Sequence, residues 1–177
     1  MKASFSNSRK FKPVNISLLT VSDTRNEISD KSGLYLANSV NQSGHNLVEK
    51  QIVKDELYLI KKNLQEWISD MKIDVIISTG GTGLTKRDVT VEAHREVYEK
   101  EISAFSTMFT MVSVDIIGTS AIQSRACAGV SNGTYLFALP GSTSACKDAW
   151  EKILRPQLDY RHQPCNFVEI MPRLIEK

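Results

Sequence analysis

The sequence predicts a three-layer α/β/α sandwich with a mostly parallel central sheet. Short apolar runs alternate along the chain with amphipathic helical patterns. The runs carry few charges or none, as strands covered on both faces must. Each run ends in glycines, small hydroxyl residues or an aspartate, and sheets of this kind bind ligands beyond the carboxyl ends of their strands.

Val14–Val21, "VNISLLTV", is a β-branched run without charge and reads as the first buried strand. Ser32–Gly44 carries Leu34, Leu36, Ala37 and Val40 at near-helical spacing, and Gly44 suits the stop of that helix. Asn46–Val53 alternates like a half-exposed strand. Asp55–Asp70 sets Leu57, Ile60, Leu64, Trp67 and Ile68 on one helical face. Ile73–Thr79 is another buried strand, and a helix is predicted from near Thr90 through "VEAHREVYEKEI". "AGVSNGTYLFALPGS" reads as a hairpin turned at Asn132-Gly133, with Thr134–Leu139 as the last core strand. "TSACKDAWEKILRPQL" reads as a helix ended by Pro156.

At 177 residues the chain fits one domain with a substantial core. The expected organisation is a basic, disordered tail over 1–13, one α/β domain over 14–167, and a C-terminal tail over 168–177. Hydrophobic residues make up 41% and charged residues 24%, ordinary for a globular protein. No apolar run approaches the roughly 18 residues of a membrane span. The first residues lack the apolar core of a signal peptide, so the expected place is the cytoplasm. The net charge is +2; Lys2, Arg9, Lys10 and Lys12 put +4 in the tail and leave −2 for the rest. That gives no case for a nucleic-acid-binding body, although a basic arm could still serve one. Cys127, Cys146 and Cys165 are too few and too scattered for a disulfide framework or a zinc site, and read as small apolar residues. His45, in a turn, and His94, on an exposed helix face, are assigned no chemistry, nor is His162.

The predicted strands end in "VSDTR", "VKDE", "TGGTG" and "PGSTS". A parallel arrangement gathers all four on one edge. They bring Ser22 and Asp23, Asp55, Thr79 to Gly83, and Pro140, Gly141 and Ser142 to a single site. In "ISTGGTGLTKRD", Gly80, Gly81 and Gly83 let a ligand approach backbone amides that form an anion-binding concavity. Thr79, Thr82 and Thr85 add hydroxyls, and Lys86 and Arg87 add charge. The loop matches neither the P-loop pattern nor the dinucleotide fingerprint. Glycines that merely turn a tight corner are the structural alternative. Asp55 and Asp88 could hold Mg²⁺ against substrate phosphates, or could cap the helices that follow them. Lys86 and Arg87 could equally be solvated.

With these residues in view, "LTVSD", "STGGTGLTKRDVT", "DIIGTSAIQSRACAGV" and "FALPGSTSACKDAWEKILRPQLD" resemble the molybdenum cofactor biosynthesis protein B and molybdopterin adenylyltransferase (MoaB/Mog) family, from Val14 to about Phe167. "GTSAIQSRACAGV" and "HQPCNF" look more like the B-protein branch. The resemblance implies a molybdopterin-binding-domain-like fold in a homotrimer or homohexamer. It implies transfer of AMP from Mg-ATP to molybdopterin with release of pyrophosphate, and a partner enzyme that then inserts molybdate. It ties Asp55 and Asp88 to catalysis and to Mg²⁺. It gives Ser22, Asp23, Thr79, Gly80, Gly81, Thr82, Gly83, Pro140, Gly141 and Ser142 to substrate and phosphate binding. The family's usual proline in "DVTPEA" is Val91 here. A non-catalytic carrier of pterin or nucleotide in the same pathway is the alternative.

Overall fold

The computed structural model describes residues 4–176. Its elements run β1 (Ser4–Phe5), β2 (Asn15–Val21), α1 (Lys31–Gln42), β3 (Asn46–Val53), α2 (Leu57–Ser69), β4 (Val75–Thr79), α3 (Thr90–Arg95), β5 (Lys100–Glu101) and α4 (Ser103–Ile117), then β6 (Cys127–Ser131), β7 (Thr134–Leu139), α5 (Thr143–Ala149), α6 (Arg155–Gln157), β8 (His162–Gln163) and α7 (Phe167–Ile170). The six-stranded sheet has the order β3-β2-β4-β7-β6-β5. β3, β2, β4 and β7 are mutually parallel; β6 and β5 are antiparallel.

The alternation of side chains along the strands builds two cores. Ile16, Leu18, Val75, Ile77, Tyr135 and Phe137 meet α1, α4 and α5 on one face. Leu19, Val21, Ile76 and Leu136 meet Ile60, Leu64, Trp67 and Ile68 of α2 and Ala93 of α3 on the other. The three layers are those expected, and because the parallel strands share one direction, the four loops named above fall on one edge. The hairpin also forms as read: Asn132 (φ 47°) and Gly133 (φ 81°) both take the left-handed conformation that such a turn requires.

Several expectations are corrected. Leu34 is exposed on α1, while Leu36, Ala37 and Val40 are buried. The helix from Thr90 stops after six residues, and Lys100–Glu101 supply β5. Pro156 does not end the last long helix. Between α5 and α6 the chain widens into a π-helical segment, Trp150–Leu154, and helix continues through Pro156 to Gln157. The N-terminal stretch, expected to be disordered, is strapped to the body over its described part, residues 4–13; Lys2 lies outside the described residues. β1 pairs antiparallel with β8, Arg9 holds Glu169 at 3.1 Å, and Lys12 sits 3.8 Å over the Tyr160 ring. Nor does the domain stop at 167: α7 spans that boundary, Val168 is buried, and the Tyr135 hydroxyl donates to the Phe167 carbonyl. Cys127 and Cys146 are buried as expected, but Cys165 is exposed. The helical stretch Ser103–Gln123 is long and apolar enough to cross a membrane by length and composition, contrary to the sequence reading. Its Phe105 and Phe109 pack into the core, so it covers the sheet and leaves Met108, Met111, Val114 and Ile122 exposed.

Candidate functional site

The carboxyl edge of the sheet is organised around two consecutive left-handed glycines, Gly80 (φ 100°) and Gly81 (φ 61°). Gly80 donates to the Leu139 carbonyl and packs against the Val21 carbonyl, where a Cβ would overlap backbone. A Cβ on Gly81 would stand 2.6 Å from Asp55 Oδ2 and collide with Thr90 Oγ1. The glycines therefore turn a corner and also make room for something next to Asp55. The Gly81 carbonyl accepts from the Thr90 amide at 2.9 Å, which closes the loop onto the first turn of α3.

Asp55 is 8% exposed. It does not cap α2, whose N-cap is Glu56 with no side-chain bond. Its Oδ1 instead accepts from the Val89 amide across the site at 3.3 Å. Burial pushes its carboxyl above the ordinary aspartate range; the Val89 amide opposes this, and the negative charges of Asp88 and Asp23 add to it. Asp88 has the reverse balance. Its Oδ2 accepts from the Thr85 hydroxyl at 2.6 Å and the Thr85 amide at 2.9 Å. The Thr85 hydroxyl bond is the largest influence holding it below the usual range, against burial and with help from the Gly83 amide and Arg125. α3 begins at an uncapped Val89, so neither aspartate caps its own helix.

Asp23 Oδ1 accepts from the Asp55 amide at 3.2 Å, and Arg87 grips the Asp23 carboxylate with contacts of 2.7 and 2.8 Å. Arg87 is therefore tied to the site edge, whereas Lys86 is exposed. Ser22 turns its hydroxyl back to the Arg25 amide at 3.1 Å, and Ser142 caps α5 through the Ala145 amide. Expectations for two threonines are corrected. Thr79 and Thr82 are 1% and 4% exposed, and the Thr79 hydroxyl donates to the Pro140 carbonyl at 3.0 Å. They shape the loop rather than offer open hydroxyls, while Thr85 is committed to Asp88.

Sequence reasoning missed two arginines. Arg125 Nε donates to the Thr82 and Gly83 carbonyls, each at 2.9 Å, its Nη2 donates to the Asp88 carbonyl at 3.0 Å, and Nη1 pairs with Glu92. Arg25 joins two loops through the Gly141 carbonyl at 2.7 Å and Ser32 at 2.6 Å. Both stand in quoted motifs, but nothing in one sequence says that an arginine will face loop carbonyls. Val91, in place of proline, is buried against Cys127 and Ala138; Asp88 is held by Thr85 and Arg125 rather than by that residue.

His94 is not on an exposed face. It is fully buried, with Nε2 2.8 Å from Ser78 Oγ and Nδ1 3.1 Å from the Tyr98 hydroxyl, and so pins α3 to β4 behind the loop. Burial lowers its pKa to about 3, and burial lowers that of His45 to about 4 despite Asp159. Both folded values lie below the unfolded 6.5. Stability is thus fully present above pH about 6.5 and is lost as pH falls toward the folded values. At pH 5 the unfolding free energy should be smaller by on the order of 2 kcal/mol for each histidine. Denaturant titrations of wild type and His94→Gln across that range check this. If the variant has the same pH slope, His94 does not carry its share.

A glycine loop with oxygen donors at the carboxyl edge of a doubly covered parallel sheet is the place where α/β folds of this class bind small-molecule ligands. Residues 17–160 match the family model described as "Probable molybdopterin binding domain". The chain is 48% identical over 160 residues to molybdenum cofactor biosynthesis protein B of Escherichia coli (strain K12), covering 90% of this chain and 94% of that protein. A crystal structure of a molybdenum cofactor biosynthesis protein B superposes with a TM-score of 0.86 at 35% identity, over 96% of this chain and all of that one. The tungsten cofactor synthesizing protein MoaB of Pyrococcus furiosus superposes with a TM-score of 0.72 at 34% identity, over 81% of this chain and 91% of that one. The chain belongs to the molybdopterin-binding-domain family, on its MoaB side.

Proposed function

We propose that this chain acts in molybdenum cofactor biosynthesis as a Mg-ATP-dependent molybdopterin adenylyltransferase. The observation that supports this most is the buried Asp55 carboxylate beside Gly81, next to a Thr90 hydroxyl that is buried without a partner. An all-oxygen donor set suits a hard divalent cation, and the repulsion that Asp88 and Asp23 exert on Asp55 would be relieved by one. Among the described residues no three His, Cys, Asp or Glu side chains gather to hold a metal. Mg²⁺ would therefore rest on Asp55, with Asp88 as the second carboxylate, and take further oxygens from substrate. When bound, it would neutralise phosphate charge.

The chain's own residues account for the rest. The terminal phosphate of molybdopterin is already anionic and needs no strong base. One of its oxygens attacks the α-phosphorus of ATP, the bond to the β-phosphate oxygen breaks, and pyrophosphate leaves. The amides of Gly81 and Thr82 orient a phosphate and stabilise charge as it shifts, while those of Gly80 and Gly83 are held by the Leu139 carbonyl and by Asp88. Ser22, Pro140, Gly141 and Ser142 complete the walls, and Arg25 and Arg125 fix the loops. The deciding experiment incubates the protein with molybdopterin and Mg-ATP and follows pyrophosphate and adenylylated pterin. Pterin binding without ATP-dependent product would replace this reading with the carrier.

The same proposal includes cytoplasmic location, delivery of product to a molybdate-inserting enzyme, and assembly as a trimer or hexamer through the outer face of α4. Met111 (64% exposed), Met108 and Val114 on α4, and Ile122 (85%) just beyond it, are exposed apolar side chains on one stretch of the chain, the kind of surface that subunit contacts cover. Sedimentation at micromolar concentration should give an oligomer, and Met111→Lys should shift it toward monomer. A wild-type monomer would rule the interface out.

A further inference from the structure

We propose a second ligand site, a pocket for a small phosphate-type oxyanion on the edge of the sheet opposite the glycine loop. It lies between the N-terminal strap and the end of the long α5–α6 helix, with a volume of about 590 Å³. His45 immediately precedes β3 and Asp55 follows it shortly after, so that eight-residue strand, roughly 23 Å long, separates the two sites.

His45 supplies the first argument. It is 4% exposed. Its Nδ1 accepts the Val14 amide at 3.3 Å, so the ring proton sits on Nε2. That N–H is buried and has no partner. A buried donor left unpaired is costly, and an acceptor in the pocket would remove the cost.

Free guanidinium donors supply the second. The walls carry Arg9, Arg155, Arg161 and Asp159, with Glu169 and Glu151 balancing the first two from just outside. Each arginine has an acidic partner, but the pairings leave donors free. Arg155 meets Glu151 through Nη1, and Arg161 meets Asp159 through Nε and Nη2, leaving its Nη1. Arg9 is spent on Glu169 through both terminal nitrogens and serves mainly to anchor the strap. Phe11 closes the pocket, with its ring 5.1 Å from that of His45 and the Arg161 guanidinium carbon 5.2 Å from the Phe11 ring centroid. Free donors on two guanidinium groups, Arg155 and Arg161, together with a neutral N–H, suit a phosphate-type oxyanion.

The test titrates the full chain with inorganic phosphate at constant ionic strength and reads the His45 ring and arginine side-chain resonances. Saturable shifts at His45, Arg155 and Arg161 are expected at millimolar phosphate. Arg155→Gln, at an exposed position, should weaken binding about tenfold with no change in melting temperature. His45→Phe, which keeps the ring and removes the donor, should weaken it similarly. Shifts confined to Thr79–Gly83, equal shifts with chloride, or unchanged affinity in a folded Arg155→Gln protein would each overturn the second site.

Discussion

Replacing Asp55 by asparagine should lower adenylylation turnover by about 10²-fold or more, roughly 2.7 kcal/mol of transition-state stabilisation, in a protein at least as stable as wild type. The two halves have one cause. Burial raises the Asp55 carboxyl's pKa, and Asp88 and Asp23 add to that effect beyond what the Val89 amide offsets. A group whose folded pKa is raised stabilises the fold only when protonated, and that contribution is lost as pH rises through the folded value. At neutral pH the ionised form is therefore a burden on the fold, and the uncharged amide relieves it while keeping an oxygen for the Val89 amide. The stability gain of Asp55→Asn should shrink as pH falls, because protonated Asp55 comes to resemble asparagine. Turnover should fall on acidification from above the ordinary carboxylate range. Kinetics and melting curves on the same preparations check both. Full turnover in the variant would remove Asp55 from the mechanism.

Asp88→Asn should also lower turnover, but through two routes. It removes charge, and it weakens the bonds from the Thr85 hydroxyl and amide that hold the loop closed. Its stability should drop where that of Asp55→Asn does not. If both carboxylates serve one cation, the double variant should lose far less turnover than the product of the single losses. Arg125 separates loop shape from charge: it touches carbonyls of Thr82, Gly83 and Asp88 and neither aspartate carboxylate.

The layers, the parallel strands and the edge that gathers the candidate site's loops were legible because they follow from local pattern. An uncharged run such as Val14–Val21 can only be covered on both faces, and glycines at strand ends mark that edge. His94 was misread because a six-residue helix holds too little periodicity to show its buried face, and its partners Ser78 and Tyr98 come from packing. The N-terminal strap was misread because four cations and no acid look solvated; the acid that holds Arg9 is Glu169, 160 residues away. Pro156 was read as a stop because a proline interrupts ordinary helix bonding, and the π-helical turn before it could not be foreseen. Arg25 and Arg125 were missed because backbone carbonyls, their partners, have no signature in sequence.

The two left-handed glycines should fail in different ways when given a side chain. At Gly80 a Cβ would enter the Val21 carbonyl, between the ends of β2 and β4, and neither backbone can move without breaking ladder bonds. Gly80→Ala should therefore cost about 3 kcal/mol or more, combining left-handed strain with overpacking, and lower the melting temperature by roughly 6–12 °C. At Gly81 the Cβ meets the Asp55 carboxylate and the Thr90 hydroxyl, side-chain atoms that can swing aside. Gly81→Ala should cost only about 1–2 kcal/mol for its φ of 61°, yet displace Asp55 and fill the space beside it. Phosphate-ligand affinity and turnover should then collapse in a folded protein. Thermal unfolding with nucleotide and pterin titrations separates the outcomes. If Gly81→Ala binds both ligands as wild type does, the glycine pair only turns a corner and the site must lie elsewhere on the edge.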